Sequence, residues 1–229
     1  MVNLDRRGRI QDSYSAADFK VFLKGQTQLT IEHSEAFERF ASQDFRKQAT
    51  NASVWTAWTR WIGLWAFYQQ GAAVNYSPGN GQAPFLSNAQ TAMFLTTLRP
   101  TPRIRSEHMY IYSRLVALPS SGRKGTIFNN HIVRWKTNFQ LSRALSVRTI
   151  IDYYALLPNA SLFATPRYKT LAGDVLLTYL LNPGTAIYVG YNTRYQDTAD
   201  PLAPDRMSNM VSKPVGRQFF AKVSYLFRF

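Results

Sequence analysis

The chain has 229 residues, of which 45% are hydrophobic, so it can bury a sizeable core and a disordered chain is excluded. It contains no cysteine, which excludes a disulfide framework, a thiol nucleophile and a thiolate metal site. The net charge of +14 suits an anionic partner, but outside the RRGR at 6–9 the basic residues are scattered singly, without a groove-reading motif. We therefore expect no nucleic acid; an anionic lipid surface would suit scattered cations.

The beginning of the chain carries neither a membrane helix nor an export signal. No stretch of about 18 apolar residues occurs anywhere, so a transmembrane helix is not predicted. The opening MVNLDRRGRIQDS has no apolar run after its charges, unlike a secretory signal. If the protein is exported, we expect this chain to be a fragment. The aromatic fraction of 14% favours strands instead.

Five segments in the first half of the chain are candidate strands, although their two faces are not cleanly divided. They are DFKVFLK, TQLTIEHSEAF, ASVWTAW, LWAFYQQGAAVNY and NAQTAMFLTTL. The stretch from Trp55 to Tyr76 is compatible with one long strand or with two.

IRSEHMYIYSRLVAL is a sixth candidate of this less clean kind, and the five segments after it alternate more clearly, with a period of two residues that is typical of strands. They are HIVRWKTNFQL, SVRTIIDYYALL, DVLLTYLLN, TAIYVGYNTRY and QFFAKVSYLFRF. In HIVRWKTNFQL, Val133 and Trp135 fall on one face of the strand, and Arg134 and Lys136 fall on the other. The last segment alternates Tyr225 and other aromatics with polar residues. A polar set such as that of HIVRWKTNFQL is costly to bury in a dry core.

The connections alternate in length along the chain. LKGQ, TRWIG, RPTPR, SRALS and NPGT are short, whereas the links around 40–51, 78–88, 118–126, 158–169 and 196–215 are long and polar. Short turns at one end and long loops at the other are typical of transmembrane barrels, whose apolar face points to lipid. We therefore predict one all-β domain over 1–229, an antiparallel up-and-down transmembrane β-barrel with about 10–12 strands in this chain. A soluble β-sandwich remains the alternative.

Several spaced segments carry a resemblance to a known family. They are LRPTPRIRSEHMYIYSRL at 98–115, LSVRTIIDYY at 145–154, GDVLLTYLLNPGTAIYVGYN at 173–192, the terminal FFAKVSYLFRF and GAAVNYSPGNGQAPFLSNA at 71–89. Together they resemble the carboxy-terminal barrel of uncharacterised bacterial proteins that carry an amino-terminal family-9-like carbohydrate-binding module. The likeness covers most of 54–229.

The resemblance implies a location in the bacterial outer membrane, with outer-membrane lipids and lipopolysaccharide as partners, but no established activity. The terminal Phe229 resembles the signal by which the barrel assembly machinery recognises such proteins. The family's amino-terminal module is absent from this chain. Because single-chain bacterial barrels have even strand numbers, the eleven candidates also suggest that the start of the barrel is missing.

One set of residues is predicted to line the lumen: Arg134, Lys136, Arg148, Asp152, Arg194 and Lys222. Rings of Arg and Lys in a pore favour anions, so the hypothesis is passage or binding of anionic solutes, including acidic saccharides. Asp152 shares a face with Arg148, so part of this charge is expected to be paired. The alternative is a plugged barrel whose interior charges satisfy one another.

Two further sets are predicted to meet the membrane. The girdle candidates are Trp55, Trp61, Trp65, Trp135, Tyr153, Tyr191, Tyr225, Phe227 and Phe229, with a sugar-stacking platform as the alternative for the aromatic side chains. The loop cations that could contact phosphates of the outer leaflet are Arg123, Lys124, Arg167, Lys169, Arg206 and Lys213. Simple solvation of those loops is equally compatible with the sequence.

The chain offers little for catalysis, and no cofactor or metal site is predicted. Its three histidines, His33, His108 and His131, lie on different strands without ligand spacing. Ser106 and His108 share a strand face and are the one candidate pair for a lipid hydrolase in the barrel wall. The predicted function is non-enzymatic: a membrane anchor and an anion- or saccharide-passing pore for an exported carbohydrate-binding protein, with a closed structural anchor as the other alternative.

Overall fold

A computed structural model describes residues 1–182, 184–198 and 213–226 and contains one sheet of twelve strands. The strands are β1 (Val2–Leu4), β2 (Ile10–Leu23), β3 (Thr27–Phe40), β4 (Gln43–Thr59), β5 (Ile62–Asn75), β6 (Phe85–Thr101), β7 (Ile104–Ala117), β8 (Thr126–Gln140), β9 (Leu145–Pro158), β10 (Tyr168–Asn182), β11 (Thr185–Thr198) and β12 (Lys213–Tyr225). Within the described residues the only helix is one 3-10 turn, Pro119–Ser121, and none is long and apolar enough to cross a membrane.

Each strand pairs antiparallel with its neighbours in sequence, so the sheet order is β1 to β12. This confirms the predicted all-β, antiparallel up-and-down class. One strand escaped the sequence analysis, the three-residue β1, which pairs with the start of β2. The stretch from Trp55 to Tyr76 forms two strands, because the chain turns at Arg60 and Trp61 between β4 and β5.

The predicted long link at 40–51 is wrong. Ala41 and Ser42 form a two-residue turn, with φ of 50° and 63°, the positive values that tight hairpin turns require. Residues 43–51 belong to β4 and pair with β3 through an unbroken ladder. Their polar composition looks like a loop, yet cross-strand pairs such as Arg39 Nε to Asp44 Oδ1, 2.7 Å apart, suit an exposed hairpin.

The register divides the sheet into two faces, because residues paired directly across an antiparallel ladder point the same way. We call the first the apolar face. Its exposed members include Phe19, Ile31, Tyr68, Phe94, Tyr110, Val133, Ile151, Val175, Tyr191 and Phe219. We call the other the charged face. Its members include Asp18, Glu32, Asn51, Gln69, Thr91, Glu107, Lys136, Arg148, Asp174, Asn192 and Gln218.

The two edges of the sheet are not joined in the described part of the chain. β1 pairs with β2 from Val2 to Leu4, and Met1 exchanges two backbone hydrogen bonds with Tyr14, so the segment 15–23 has a neighbour on its β3 side alone. β12 pairs with β11 and, among the described residues, with no other strand. β2 and β12 run in the same direction, so a direct ladder between these edges would be parallel.

A small core lies where the long-link ends of β6, β7 and β8 meet the link 159–167. Its buried members are Phe85, Leu115, Ala117, Ile127 and Leu162. Four of them come from or adjoin the strands, and Leu162 comes from the link. Apolar packing therefore holds this link against the charged face at one end of the sheet.

Gly71, in the last pair of the β4–β5 ladder, lies tight against the backbone of β4, which leads to a prediction. A Cβ built on Gly71 would lie 2.3 Å from the backbone oxygen of Gln48. We expect Gly71→Ala to destabilise the protein by about 1–3 kcal/mol through overpacking against this backbone. Gly63→Ala on the same strand is the matched control, because its Cβ would meet nothing within 4 Å. Denaturant unfolding of the two variants measures the difference, and equal stability would contradict the prediction.

Candidate functional site: the charged face

Three of the predicted lumen residues surround one hollow of about 500 Å³ on the charged face of β6 to β9. Among its lining residues are Leu95, Glu107, Met109, Arg134, Lys136 and Arg148. The floor is mixed, with apolar side chains from β6 and β7 and cations from β8 and β9. The hollow therefore places positive charge beside apolar side chains.

Two cations of the hollow are held in cross-strand ion pairs. Lys136 Nζ lies 3.2 Å from Glu107 Oε2, and Arg105 also reaches this carboxylate at 2.5 Å. Arg134 Nε lies 3.4 Å from Asp152 Oδ1. Lys136 is directly opposite Glu107 in the register, and Arg134 is directly opposite Asp152, which brings the side chains of each pair close.

Part of the lumen charge is paired, as expected, but Asp152 meets Arg134 and not Arg148. Asp152 pairs with Arg134 on the neighbouring strand because direct cross-strand neighbours are closer than residues four apart on one strand. Arg148 lies opposite Asn138 and Leu176 and is exposed. Within the described residues it takes part in no ion pair. Arg148 is thus the cation of the hollow best placed to receive an anion.

Arg194 and Lys222 share the charged face but lie outside the hollow. Arg194 donates a hydrogen bond of 3.0 Å to the hydroxyl of Tyr168, and Lys222 lies opposite Tyr188. Asn192 donates a hydrogen bond to Asp174, and this pair separates the two cations from the hollow. The predicted set therefore forms a band across β8 to β12 rather than one cluster.

The first strands give the same face the opposite sign, which sequence reasoning missed. Asp18 and Glu32 lie directly opposite each other, as do Asp12 and Glu38. Asn51 donates 3.0 Å to the Glu32 carboxylate. The alternation in TQLTIEHSEAF was the signal that could have revealed these acids, had its register with β2 been known. The charged face is thus acidic on β2 and β3 and predominantly basic from β8 onwards.

One long link folds over the charged face and covers its end. Asn75 Nδ2 donates 2.8 Å to the backbone oxygen of Leu162, and the backbone N–H of Ala164 donates 2.9 Å to Ser77. The ring of Phe163 packs against Phe128 with centroids 5.1 Å apart. The sequence left open whether any long loop turns over this face, and the link 159–167 does.

The aromatic set predicted to form a girdle is split by the register. Trp135, Tyr153, Tyr191 and Tyr225 lie on the apolar face. Trp55 and Trp65 lie opposite each other on the charged face, contrary to the expectation that all of them share one surface. Trp61 occupies the turn after β4. Phe227 and Phe229 lie outside the described residues.

The loop cations differ in their engagement. Arg123 donates 2.8 Å to the side-chain oxygen of Gln82, and its guanidinium lies 4.0 Å above the Phe85 ring, so it ties two links together. Lys124 is exposed, Arg167 is half-buried and Lys169 is buried. Arg206 and the side chain of Lys213 lie outside the described residues. Arg123 is therefore a structural contact as well as a cation.

The structure brings Ser106 and His108 together on the apolar face. Ser106 Oγ lies 2.9 Å from His108 Nε2 and 2.8 Å from Thr137 Oγ1, and it accepts a 2.9 Å hydrogen bond from Trp135. The serine is only 8% exposed, and no carboxylate of the described residues orients the other nitrogen of His108. A catalytic serine needs access and an oriented base.

This geometry predicts a structural role for the pair. We expect His108→Ala to leave phospholipid turnover at the level of the parent chain, because the serine is already satisfied by its cross-strand neighbours. Release of fatty acid from phospholipid vesicles is the measurement, with Ser106→Ala as control. A loss of turnover in both variants would instead identify a lipid hydrolase.

Comparisons with known proteins give only one weak structural likeness to report. No family model matches the chain, and no curated protein matches it. A solved structure described as a NanC porin in a rhombohedral crystal form aligns over 95% of this chain and 94% of its own. The identity is 10% and the TM-score 0.38. So weak a likeness shows neither a family nor a function.

Proposed function

We propose that this chain forms an outer-membrane β-barrel, or the carboxy-terminal part of one, whose charged face lines a passage for anionic solutes. The observation that carries the proposal is the division of one long up-and-down sheet into an exposed apolar face and a charged face. In water an exposed apolar surface of this size is a liability. In lipid it is the outward face that a barrel requires, and polar residues line the lumen.

The free edges of the sheet support closure in a membrane. Backbone N–H and C=O groups have no water partner in hydrocarbon, so open edges do not persist there. The unpaired side of β2 and the outer side of β12 would have to be covered by barrel closure, by an added strand or by another chain. Strand lengths of 13–17 residues for β2 to β12 exceed the 9–11 that a tilted strand needs.

The proposed preference for anions rests on the hollow around Arg148. The cations of β8 and β9 outnumber the acids beside them, and Arg148 has no ion pair among the described residues. The acidic residues of β2 and β3 lie on other strands of the same face. An anion in the passage would therefore be drawn to the β8 and β9 side, as charged rings select ions in pores.

The resemblance noted in the sequence extends the proposal. A barrel of this kind would anchor an exported carbohydrate-binding module, and acidic saccharides would be natural solutes for its passage. Phe229 would present the assembly signal, and the exposed aromatic residues of the apolar face would contact lipid and lipopolysaccharide. These partners are chosen because they match an apolar wall with basic links.

Single-channel recording tests the proposal. The purified chain, refolded in detergent, is inserted into a planar bilayer, and its reversal potential is measured in a salt gradient. Stable conductance with an anion preference supports the passage. Insertion without conductance would leave a closed anchor, and a chain that stays monomeric and soluble without detergent would point to a sandwich instead.

A further inference from the structure

The ladder between β4 and β5 ends before either strand does. Its last pair is Ala49 with Gly71. Beyond this point β4 continues to Gln43 paired with β3 alone, and β5 continues to Asn75 paired with β6 alone. The hairpin of β3 and β4 therefore diverges from the rest of the sheet at the long-link end.

A cavity of about 1350 Å³ lies at the gap between the diverging strands and is lined by residues of β2 to β6 and by Leu118. Gln48 lines it from β4, whereas Gln70 and Asn88 line it from β5 and β6. Lys47 and Gly71 of the charged face also contribute, so the lining comes from both faces of the sheet. We call this gap the slot. The backbone groups of β4 and β5 that face it have no ladder partner, so water or a bound molecule must satisfy them.

A side-chain bridge closes the slot at its far end, on the charged face. Tyr76, which directly follows β5, donates 2.7 Å to Glu38 Oε2 on β3, and Lys47 on β4 pairs with the same carboxylate. The Tyr76 ring meets Phe40 edge to face, with centroids 5.1 Å apart. Burial and the hydrogen bond to Glu38 raise the pKa of Tyr76 to about 12. The Tyr76 hydroxyl therefore stays protonated at neutral pH and keeps its hydrogen bond to Glu38.

Two unmatched charges face the slot on the apolar face. Glu35 and Arg46 lie on neighbouring strands one step apart in the register, since Glu35 is opposite Gln48 and Phe37 is opposite Arg46. Both are exposed lining residues, and within the described part of the chain neither is in an ion pair. Diagonal neighbours of this kind are about 7–8 Å apart, and in the structure the two side chains form no ion pair with each other. A ligand with separated positive and negative groups would satisfy both.

The slot also borders apolar side chains of the apolar face. Ala52 and Tyr68 lie on the apolar face, just beyond the end of the slot at which the β4–β5 ladder begins. Leu86 and Leu118 line the slot. In the membrane orientation of the proposed function, this places the slot at the boundary between hydrocarbon and headgroups. Polar amides, separated charges and neighbouring apolar side chains together match an amphiphile.

We propose that the slot between β4 and β5 binds the head of a zwitterionic phospholipid, with its phosphate at Arg46 and its amine at Glu35. The amides of Gln48, Gln70 and Asn88 hydrogen-bond the glycerol and phosphate oxygens. The acyl chain leaves along the apolar face beside Tyr68. This inference rests on the proposed function only for the depth of the slot in the membrane.

A reversible disulfide across the slot tests the proposal. The chain has no cysteine, so Gln48→Cys with Ala72→Cys gives one defined pair, at the positions that would be opposite if the ladder continued. The probe is lysophosphatidylethanolamine, titrated calorimetrically into the chain in maltoside detergent. The reduced form of this variant, which already lacks the Gln48 amide, is the reference, and oxidation should weaken binding about tenfold or more relative to it, the loss expected when charge-assisted hydrogen bonds are removed.

Charge variants give an independent readout if the disulfide does not form. Glu35→Gln should weaken binding of lysophosphatidylethanolamine but not of lysophosphatidylglycerol, which lacks the amine. Arg46→Gln should weaken both, and Lys124→Gln, at an exposed residue that does not line the slot, should weaken neither. Unchanged binding in the oxidised pair and in both charge variants would overturn the slot as a lipid site.

Failure of the slot and failure of the passage are distinguishable. The slot is lined by residues of β2 to β6, and the hollow by residues of β6 to β9. Oxidation of the cysteine pair should therefore leave single-channel conductance unchanged. Lipid binding that is lost on oxidation in a chain without conductance would retain the slot and reject the passage.

Discussion

Arg148→Glu should shift the ion preference of the passage toward cations more than any other single reversal in the hollow. Arg148 is exposed on the charged face and has no ion pair among the described residues, so its full charge acts on a passing ion. Reversal changes the local charge by two units, which at about 1 kcal/mol per charge in water lowers anion occupancy on the order of tenfold at low salt. Reversal potentials in a salt gradient measure this change.

The paired cations make the comparison sharper. Arg134→Glu and Lys136→Glu place a carboxylate opposite Asp152 or Glu107, so they should reduce both selectivity and stability. Arg148→Glu should spare stability because it breaks no ion pair. Lys124→Glu, on an exposed link, is the matched control and should change neither property. An anion preference unaffected by Arg148→Glu and by the double reversal of Arg134 and Lys136 would exclude this face as the selective lining.

Loosening the link 159–167 should increase conductance. Leu162 is 7% exposed within the core formed with Phe85, Leu115 and Ile127, so Leu162→Ala should weaken its docking by about 2–5 kcal/mol. The charged face beneath would be uncovered more often, and single-channel records should show a larger conductance. Asn75→Ala should act in the same direction, because it removes the hydrogen bond to the Leu162 backbone.

The control for this experiment lies in the same link. Ser161 is exposed and its side chain bonds only Asn159, so Ser161→Ala should leave conductance unchanged. Equal conductance in Leu162→Ala, Asn75→Ala and Ser161→Ala would mean that the link does not restrict the passage. It would then serve only to stabilise the ends of β6 to β8.

The pairing of charges could not be predicted from the sequence, although the face of each charge could. The period of two residues placed Arg134 and Lys136 on one face of β8, and the structure agrees. Which acid meets which base depends on the register of three strands that are far apart along the chain. Asp152 therefore met Arg134 rather than its neighbour on the same strand.

Local composition was misleading where the strands are polar on both faces. Residues 43–51 carry charges and amides and look like a loop, yet β3 pairs with every one of them. Trp55 and Trp65 were grouped with Trp135 because aromatics look alike in a sequence. Their register with each other places them on the charged face. In both cases the partner strand supplied information that the segment lacks.

The sequence by itself determined the strand class, the antiparallel order, the lack of thiol chemistry and the two-faced pattern of β8 to β11. The strand features follow from alternation and connection length, and the lack of thiol chemistry follows from the absence of cysteine. Each is read directly from the sequence. Only the tertiary structure decided the ion pairs of the hollow, the docking of the link 159–167 and the early end of the β4 to β5 ladder. Those features join residues 18 to 87 positions apart, and only the register and curvature of the sheet bring such residues together.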